Sequence, residues 1–242
     1  MLERLHCIAL HTVKYSDRSN IVTVYTGGHG RMSLLMPAGN SREAVRRRAM
    51  TMPMSVFECV ADIRPGRDIL SVRAVRAQIV LHGIFSHPVK MTVAMFVAEL
   101  LNVVLRESQG DAHLFDYLTF AMSRLDEADD AAMANFPVGF LYGLSRFVGI
   151  EPDVSDYSQG CVFDLIDGTF RRSAPLHGEY LEGREAEVVY GLSRMTWENM
   201  GRYRFNRVQR QRILAVMLRY YTLHYASLSS LNSVDILKTL FD

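Results

Sequence analysis

Cysteine is scarce in this chain. Cys7, Cys59 and Cys161 are isolated and odd in number, which excludes a disulfide framework and suits a reducing cytosol. Lysine is equally scarce: of 27 basic residues only Lys14, Lys90 and Lys238 are lysines, and the rest are arginines. Arginine presents a planar fork suited to phosphate and carries less hydration to strip away, although genomic composition alone produces the same bias. Long apolar runs are also missing. The most apolar stretch, 89–105, is broken by Lys90, Glu99 and Asn102 and falls short of the roughly 20 residues a membrane span needs. Residues 1–6 lack the apolar stretch of a secretory signal, so the expectation is a cytoplasmic, nucleoid-associated protein.

Catalytic and metal motifs are likewise lacking. There is no C-x-x-C, H-x-x-x-H, H-E-x-x-H or G-x-S-x-G, and the eight histidines are scattered. His6 and His11 are an odd number of residues apart and would face opposite sides of one strand. Asp129 and Asp130 sit in a solvated acidic run. The Gly27-Gly28-His29-Gly30 turn resembles a phosphate loop only superficially, since no Gly-Lys-Ser/Thr and helix follow it, and it reads as a hairpin turn. No enzyme, no cofactor and no metal are expected.

What is present falls into two parts. Three runs rich in β-branched and aromatic residues occupy 5–37 and end in turn clusters, which reads as three successive antiparallel strands. Arg42 to Arg48 is a basic segment without a periodic apolar face and reads as an exposed link between strands. Met50, Met52 and Met54 alternate into a fourth strand over 55–64. Pro65-Gly66-Arg67-Asp68 makes a turn into a fifth strand over 69–78, with Leu70, Val72, Ala74 and Arg76 opposed to Ser71, Arg73, Val75 and Ala77. Five antiparallel strands in about 80 residues predict a small barrel, of the oligonucleotide-binding or the SH3-like kind.

From Pro88 the apolar period becomes that of helices: 89–108, 112–126 capped by Asp111, and 130–148 containing Pro137 and closed by Gly149. Residues 149–183 are irregular, with a small hairpin around Asp167-Gly168. Helices are expected over 182–194, 206–225 and, capped by Ser233, to Phe241. The predicted class is α+β, a five-stranded antiparallel barrel over 1–80 and a helical domain over 81–242 with the hairpin inserted at 149–183.

Charge divides the same way. Residues 1–80 carry 12 Lys and Arg against 6 Asp and Glu, whereas 81–242 carry 15 against 20. The barrel's Arg31, Arg42, Arg46, Arg47, Arg48, Arg64, Arg67, Arg73 and Arg76 are candidate DNA contacts, able to replace counterions condensed on a nucleic-acid backbone. Tyr25 and Phe57 lie among them on strand faces that the sequence leaves open. A second basic cluster, Arg202, Arg204, Arg207, Arg210 and Arg212, sits beside Trp197, Tyr203 and Phe205 in the acidic half. Positive charge near a helix start opposes the macrodipole, so this cluster points to a ligand, either an acidic peptide with an apolar end or a second stretch of DNA.

The order and spacing of these segments resemble a known family. Ala9-Leu10-His11-Thr12-Val13-Lys14-Tyr15, Ile21-Val22-Thr23-Val24-Tyr25-Thr26, His29-Gly30-Arg31, Pro65-Gly66-Arg67-Asp68-Ile69-Leu70, the run 214–224 and Ser233-Val234-Asp235-Ile236-Leu237 look like the RecO family of bacterial DNA repair and recombination mediators. The resemblance spans nearly the whole chain. It implies an N-terminal oligonucleotide-binding (OB) barrel, a helical C-terminal domain and a non-enzymatic role. That role comprises binding single- and double-stranded DNA, annealing complementary strands, and engaging the acidic, apolar-ended tail of the single-stranded DNA-binding protein. With the partner RecR it extends to loading RecA onto coated strands. Some members hold zinc through four cysteines; here 149–183 contains only Cys161, so no zinc is expected. The alternative function is a protein-interaction adaptor whose barrel docks a partner, with DNA contact incidental.

Overall fold

A computed structural model describes residues 1–64, 66–225 and 228. The last expected helix, from Ser233, lies outside the described residues, as does Pro65 of the expected turn. Two compact units divide the chain, Met1–Glu127 and Ala128–Asp242. Strand gives way to helix near residue 80, but the first compact unit runs on through three helices.

In that unit five strands close a barrel: β1 (Leu2–Ser16), β2 (Ser19–Thr26), β3 (Gly30–Pro37), β4 (Val56–Asp62) and β5 (Ile69–Ile79), joined in the order β1-β2-β3-β5-β4. The expectation of an all-antiparallel barrel needs correction. β3 pairs β5 in parallel, Ser33–Leu35 beside Ile69–Ser71, and this closing contact cannot be read from sequential hairpins. The core is made by alternate residues, among them Leu5, Cys7, Val22, Val24, Leu34, Phe57, Cys59 and Leu70. The Cys7 and Cys59 sulfurs lie 3.8 Å apart in this interior as free thiols, and their contact together with burial pushes the Cys7 thiol far above its ordinary value.

Two local expectations fail for identifiable reasons. Residues 42–48 do lie largely exposed between strands, but as a helix, α1 (Arg42–Met50), opened by the Ser41 side chain accepting from Ala44 N–H and buried only at Ala44. The alternating methionines therefore end a helix and form a tight turn. Met54 takes φ 63° with its N–H donating to Ala9 O at 2.7 Å. In β5, a register shift opposite Val60 and Ala61 re-phases the strand, so Val72 and Val75 both pack on the core and Ala74 is exposed.

Three helices complete the unit: α2 (His82–Ser86), α3 (Pro88–Val104) and α4 (Ala112–Glu127), the last capped by Asp111 as expected. The buried Tyr25 hydroxyl accepts from Asp111 N–H at 3.1 Å, fixing β2 to the start of α4. The glycines of the β2–β3 turn serve a close approach. A Cβ on Gly30 would lie 2.3 Å from Ser108 O, and one on Gly110 would lie 2.4 Å from Gly28 C. The turn and the α3–α4 link therefore interlock backbone to backbone, which explains the glycine cluster without any phosphate.

The second unit contains α5 (Asp130–Phe147), α6 (Gly183–Leu192) and α7 (Arg207–His224), with a small sheet of β6 (Val162–Asp164), β7 (Thr169–Arg171) and β8 (Tyr180–Leu181). Pro137 sits inside α5, and Gly149 closes that helix at φ 76° with Ile150 N–H donating to Ser145 O. The Asp-Gly hairpin is present and gains β8 as a third strand. α7 reaches it through a histidine, with His224 Nε2 3.2 Å from Leu165 O, and ties the end of α5 through Tyr220, which donates to Ile150 O at 2.9 Å.

Candidate nucleic-acid interface

The nine barrel arginines separate by what they touch. Arg31 is half-buried and binds Asn102 Oδ1 through Nε and Nη2 at 3.3 and 3.1 Å; burial, then the nearby Arg106, pulls its guanidinium below the usual arginine range. Arg47 donates to Pro37 O at 3.0 Å and pairs with Glu43 one helical turn away. Both are committed to the fold. Arg64 is exposed and pairs with Asp62, whose carboxyl is held down at about 2 by Arg64 and by the N-terminal ammonium.

Arg42, Arg46 and Arg48 stand exposed on α1, and α1 runs beside β5, which carries exposed Arg73 and Arg76. Arg67 is exposed in the β4–β5 turn. Arg76 sits across from Glu58, so part of its charge is locally matched. Tyr25 and Phe57, whose faces the sequence left open, are both fully buried and offer no stacking surface. The exposed aromatic of the barrel is Tyr15 near the end of β1, at 63% exposure, which the sequence reading missed.

The second arginine cluster is dispersed around the start of α7. Arg202 and Arg204 are exposed in the segment before the helix, where Asn135 Nδ2 fixes the chain by donating to Met200 O and Tyr203 O at 2.8 and 3.0 Å. A capping box satisfies the Gln209 and Asn206 amides reciprocally, which helps offset the unfavourable Arg207 and Arg210 placement. Arg210 donates to Phe205 O, and Arg212 pairs with Glu185, which raises the Arg212 guanidinium's affinity for its proton.

Only Arg212 of this cluster lines a groove of about 280 Å³ between α6 and α7. Its floor and rim are Val208, Ile213 and Val216, with Arg184, Glu185 and Arg212 around them; Val208 is 73% exposed. The sequence reading did not name Arg184, because it lies on another helix. An apolar trough edged by Arg184 and by the Arg212–Glu185 pair suits an apolar residue next to a carboxylate.

Zinc does not fit the 149–183 segment. Cys161 is buried with Sγ 2.9 Å from Ser158 Oγ, and no metal-holding group of three or more His, Cys, Asp or Glu occurs among the described residues. The segment is organised instead by the Asp164 carboxylate, 1% exposed. It accepts from Ile166 N–H at 2.9 Å and Asp167 N–H at 3.2 Å, with Arg171 Nε at 3.0 Å and His177 Nε2 at 3.3 Å. Among the described residues no helix is long and apolar enough to cross a membrane.

Comparison with known proteins divides the chain near residue 80, where strand gives way to helix, rather than at the boundary of the compact units. A family model described as recombination protein O, N terminal, matches residues 1–78, and its C-terminal counterpart matches 86–232. The protein called DNA repair protein RecO in Phocaeicola vulgatus is 37% identical over 241 residues, covering all of both chains. Those of Bacteroides fragilis and Christiangramia forsetii are 37% and 26% identical over 243 residues, again at full coverage. With its barrel and its helical part each matched, and with relatives aligned from end to end, this chain belongs to the recombination protein O (RecO) family.

Proposed function

We propose that this chain is a non-enzymatic mediator of recombinational DNA repair. It binds single- and double-stranded DNA, anneals complementary strands, and with RecR helps load RecA onto strands coated by the single-stranded DNA-binding protein. The observation that carries the DNA reading is the exposed arginine set on α1 and β5, namely Arg42, Arg46, Arg48, Arg73 and Arg76, with Arg64 and Arg67 at the adjoining turn. Guanidiniums on one side of a small barrel replace counterions along a phosphate backbone and give salt-dependent binding with little sequence preference.

The test uses Arg42, Arg46 and Arg48 replaced together by alanine, since Arg47 holds the helix to Pro37 and is left in place. Fluorescence anisotropy with labelled single-stranded DNA is expected to show roughly 100-fold weaker binding at low salt. The slope of log K against log salt should become shallower by about 2–3, one phosphate contact per arginine lost. An unchanged slope would remove α1 from the DNA path.

The groove between α6 and α7 supports the second element of the reading, capture of the acidic, apolar-ended tail of the single-stranded DNA-binding protein. Arg184 and Arg212 face the carboxylates and the valines take the terminal apolar side chain. Val208→Glu places a like charge at an exposed rim position where folding does not depend on the side chain. It is expected to weaken an acidic peptide ending in an aromatic residue by about tenfold, or about 1.4 kcal/mol. Calorimetric titration measures it, and equal affinity for the variant would place the tail elsewhere.

A further inference from the structure

β1 pairs β4 only from Leu2 to Ile8, while its pairing with β2 continues to Ser16. Residues 11–16 are all exposed, so the end of the β1–β2 hairpin stands clear of the fourth strand. Strand alternation fixes what its outer surface carries. Thr12 pairs with Val22, which faces the core, so the neighbouring pair Val13 and Ile21 faces outward. Ile21 in turn pairs with Leu35, the outward neighbour of the buried Leu34. Val13, Ile21 and Leu35 therefore form an apolar row across three strands on the outside of a barrel. Tyr15 follows Val13 along β1, unpaired at a register shift between Lys14 and Ser16 that turns the hairpin end, and is 63% exposed against 44% for Val13.

This row adjoins the arginine surface through a run of hydrogen bonds. Ala38 N–H donates to Arg18 O at 2.8 Å, which ties the hairpin end to the corner after β3. Arg47 donates to Pro37 O at 3.0 Å, which ties the same corner to α1. Arg18 and Lys14, the latter paired with Asp17 at 2.7 Å, thus lie at the same end of the barrel as Arg42, Arg46 and Arg48. An exposed aromatic and an aliphatic row flanked by cations match the two chemical parts of a single strand, flat unstacked bases and a phosphate backbone. A duplex offers the phosphates but keeps the base faces stacked.

We propose that Tyr15, at the exposed hairpin end next along β1 from the Val13, Ile21 and Leu35 row, is a stacking platform for the unpaired bases of single-stranded nucleic acid, and that it gives the barrel a preference for single strands over duplex. The proposal rests on the DNA-binding reading of the arginines and adds to it the element that distinguishes the two forms of DNA. Tyr15 makes the base contact and the arginines make the phosphate contacts.

The experiment compares Tyr15→Ala and Tyr15→Phe in the full chain, using anisotropy with an oligothymidine and with a duplex of equal length across a salt series. Tyr15→Ala is expected to bind the single strand roughly tenfold more weakly. Tyr15→Phe should bind like the parent, duplex affinity should be unchanged, and the salt slope should stay that of the parent, because no phosphate contact is lost. Single-strand affinity equal to the parent's in Tyr15→Ala overturns the platform while leaving the arginine reading intact. An equal loss on duplex overturns the claim of single-strand preference. Failure of the unaltered chain to bind either DNA overturns both readings.

Discussion

Gly30→Ala is expected to destabilise the Met1–Glu127 unit by roughly 3–5 kcal/mol, whereas Gly28→Ala, two residues away in the same turn, should stay within about 0.5 kcal/mol of the parent. Two costs add at residue 30. Its φ of 71° lies in the left-handed region, where an L side chain is strained. The new Cβ would also fall 2.3 Å from Ser108 O and 2.8 Å from Gln109 C, both main-chain atoms that no rotamer change can move aside. Gly28 has open space where its Cβ would go and no positive φ. Urea unfolding followed by circular dichroism distinguishes the two. Similar midpoints for both variants would mean that the turn and the α3–α4 link separate easily, contrary to the interlock described above.

The second large effect belongs to Asp164. Asp164→Ala leaves the amides of Ile166 and Asp167 without their acceptor and removes the carboxylate facing Arg171 and His177, in a position that is 1% exposed. Breaking such a buried charged hub costs about 3–5 kcal/mol. Its pH dependence has a definite sign. Burial pushes the Asp164 carboxyl up, but the amides of Asp167 and Ile166 and the His177 ring outweigh it, and the group ends below the ordinary carboxylate range. A depressed folded-state value contributes stability that is fully present above the unfolded value of about 3.9 and is lost as pH falls through the folded value. The parent should therefore lose its advantage over Asp164→Ala as the pH falls below about 4, where the two urea midpoints converge. A gap that stays constant down to pH 2 would show that the carboxylate's charge is not what holds the hairpin.

The order of the elements was legible because each strand or helix here declares itself locally. The β-branched runs end in turn residues, and Asp111 and Gly149 mark helix ends by their own chemistry. What escaped was set by contacts distant in sequence. α1 has almost no apolar face, since Ala44 alone is buried on it. Its local signals were the Ser41 cap and the four-residue spacing of Glu43 and Arg47, weaker than the hydrophobic period that identifies the longer helices. The parallel β3–β5 closure joins strands separated by α1 and β4, and no turn motif announces it. The bulge in β5 inverted the expected faces of Ala74 and Val75.

The candidate site was legible as charge and illegible as geometry. Arg31 and Arg47 look like their neighbours in the sequence, yet Asn102 and Pro37 engage them in the fold. Arg184 and Arg212 share a groove across two helices, a pairing that no spacing rule links. Tyr15 escaped notice because burial, not residue type, separates it from Tyr25.

The inaccessibility of the three thiols has a practical consequence. Cys7, Cys59 and Cys161 are all buried and free, so a maleimide dye has no native target on the folded surface. A cysteine placed at fully exposed Leu176, or at exposed Asp68 beyond β4, would then carry the fluorophore alone. Fluorescence of single molecules on surface-tethered DNA could follow this chain without first stripping the barrel of the two sulfurs that fill its centre.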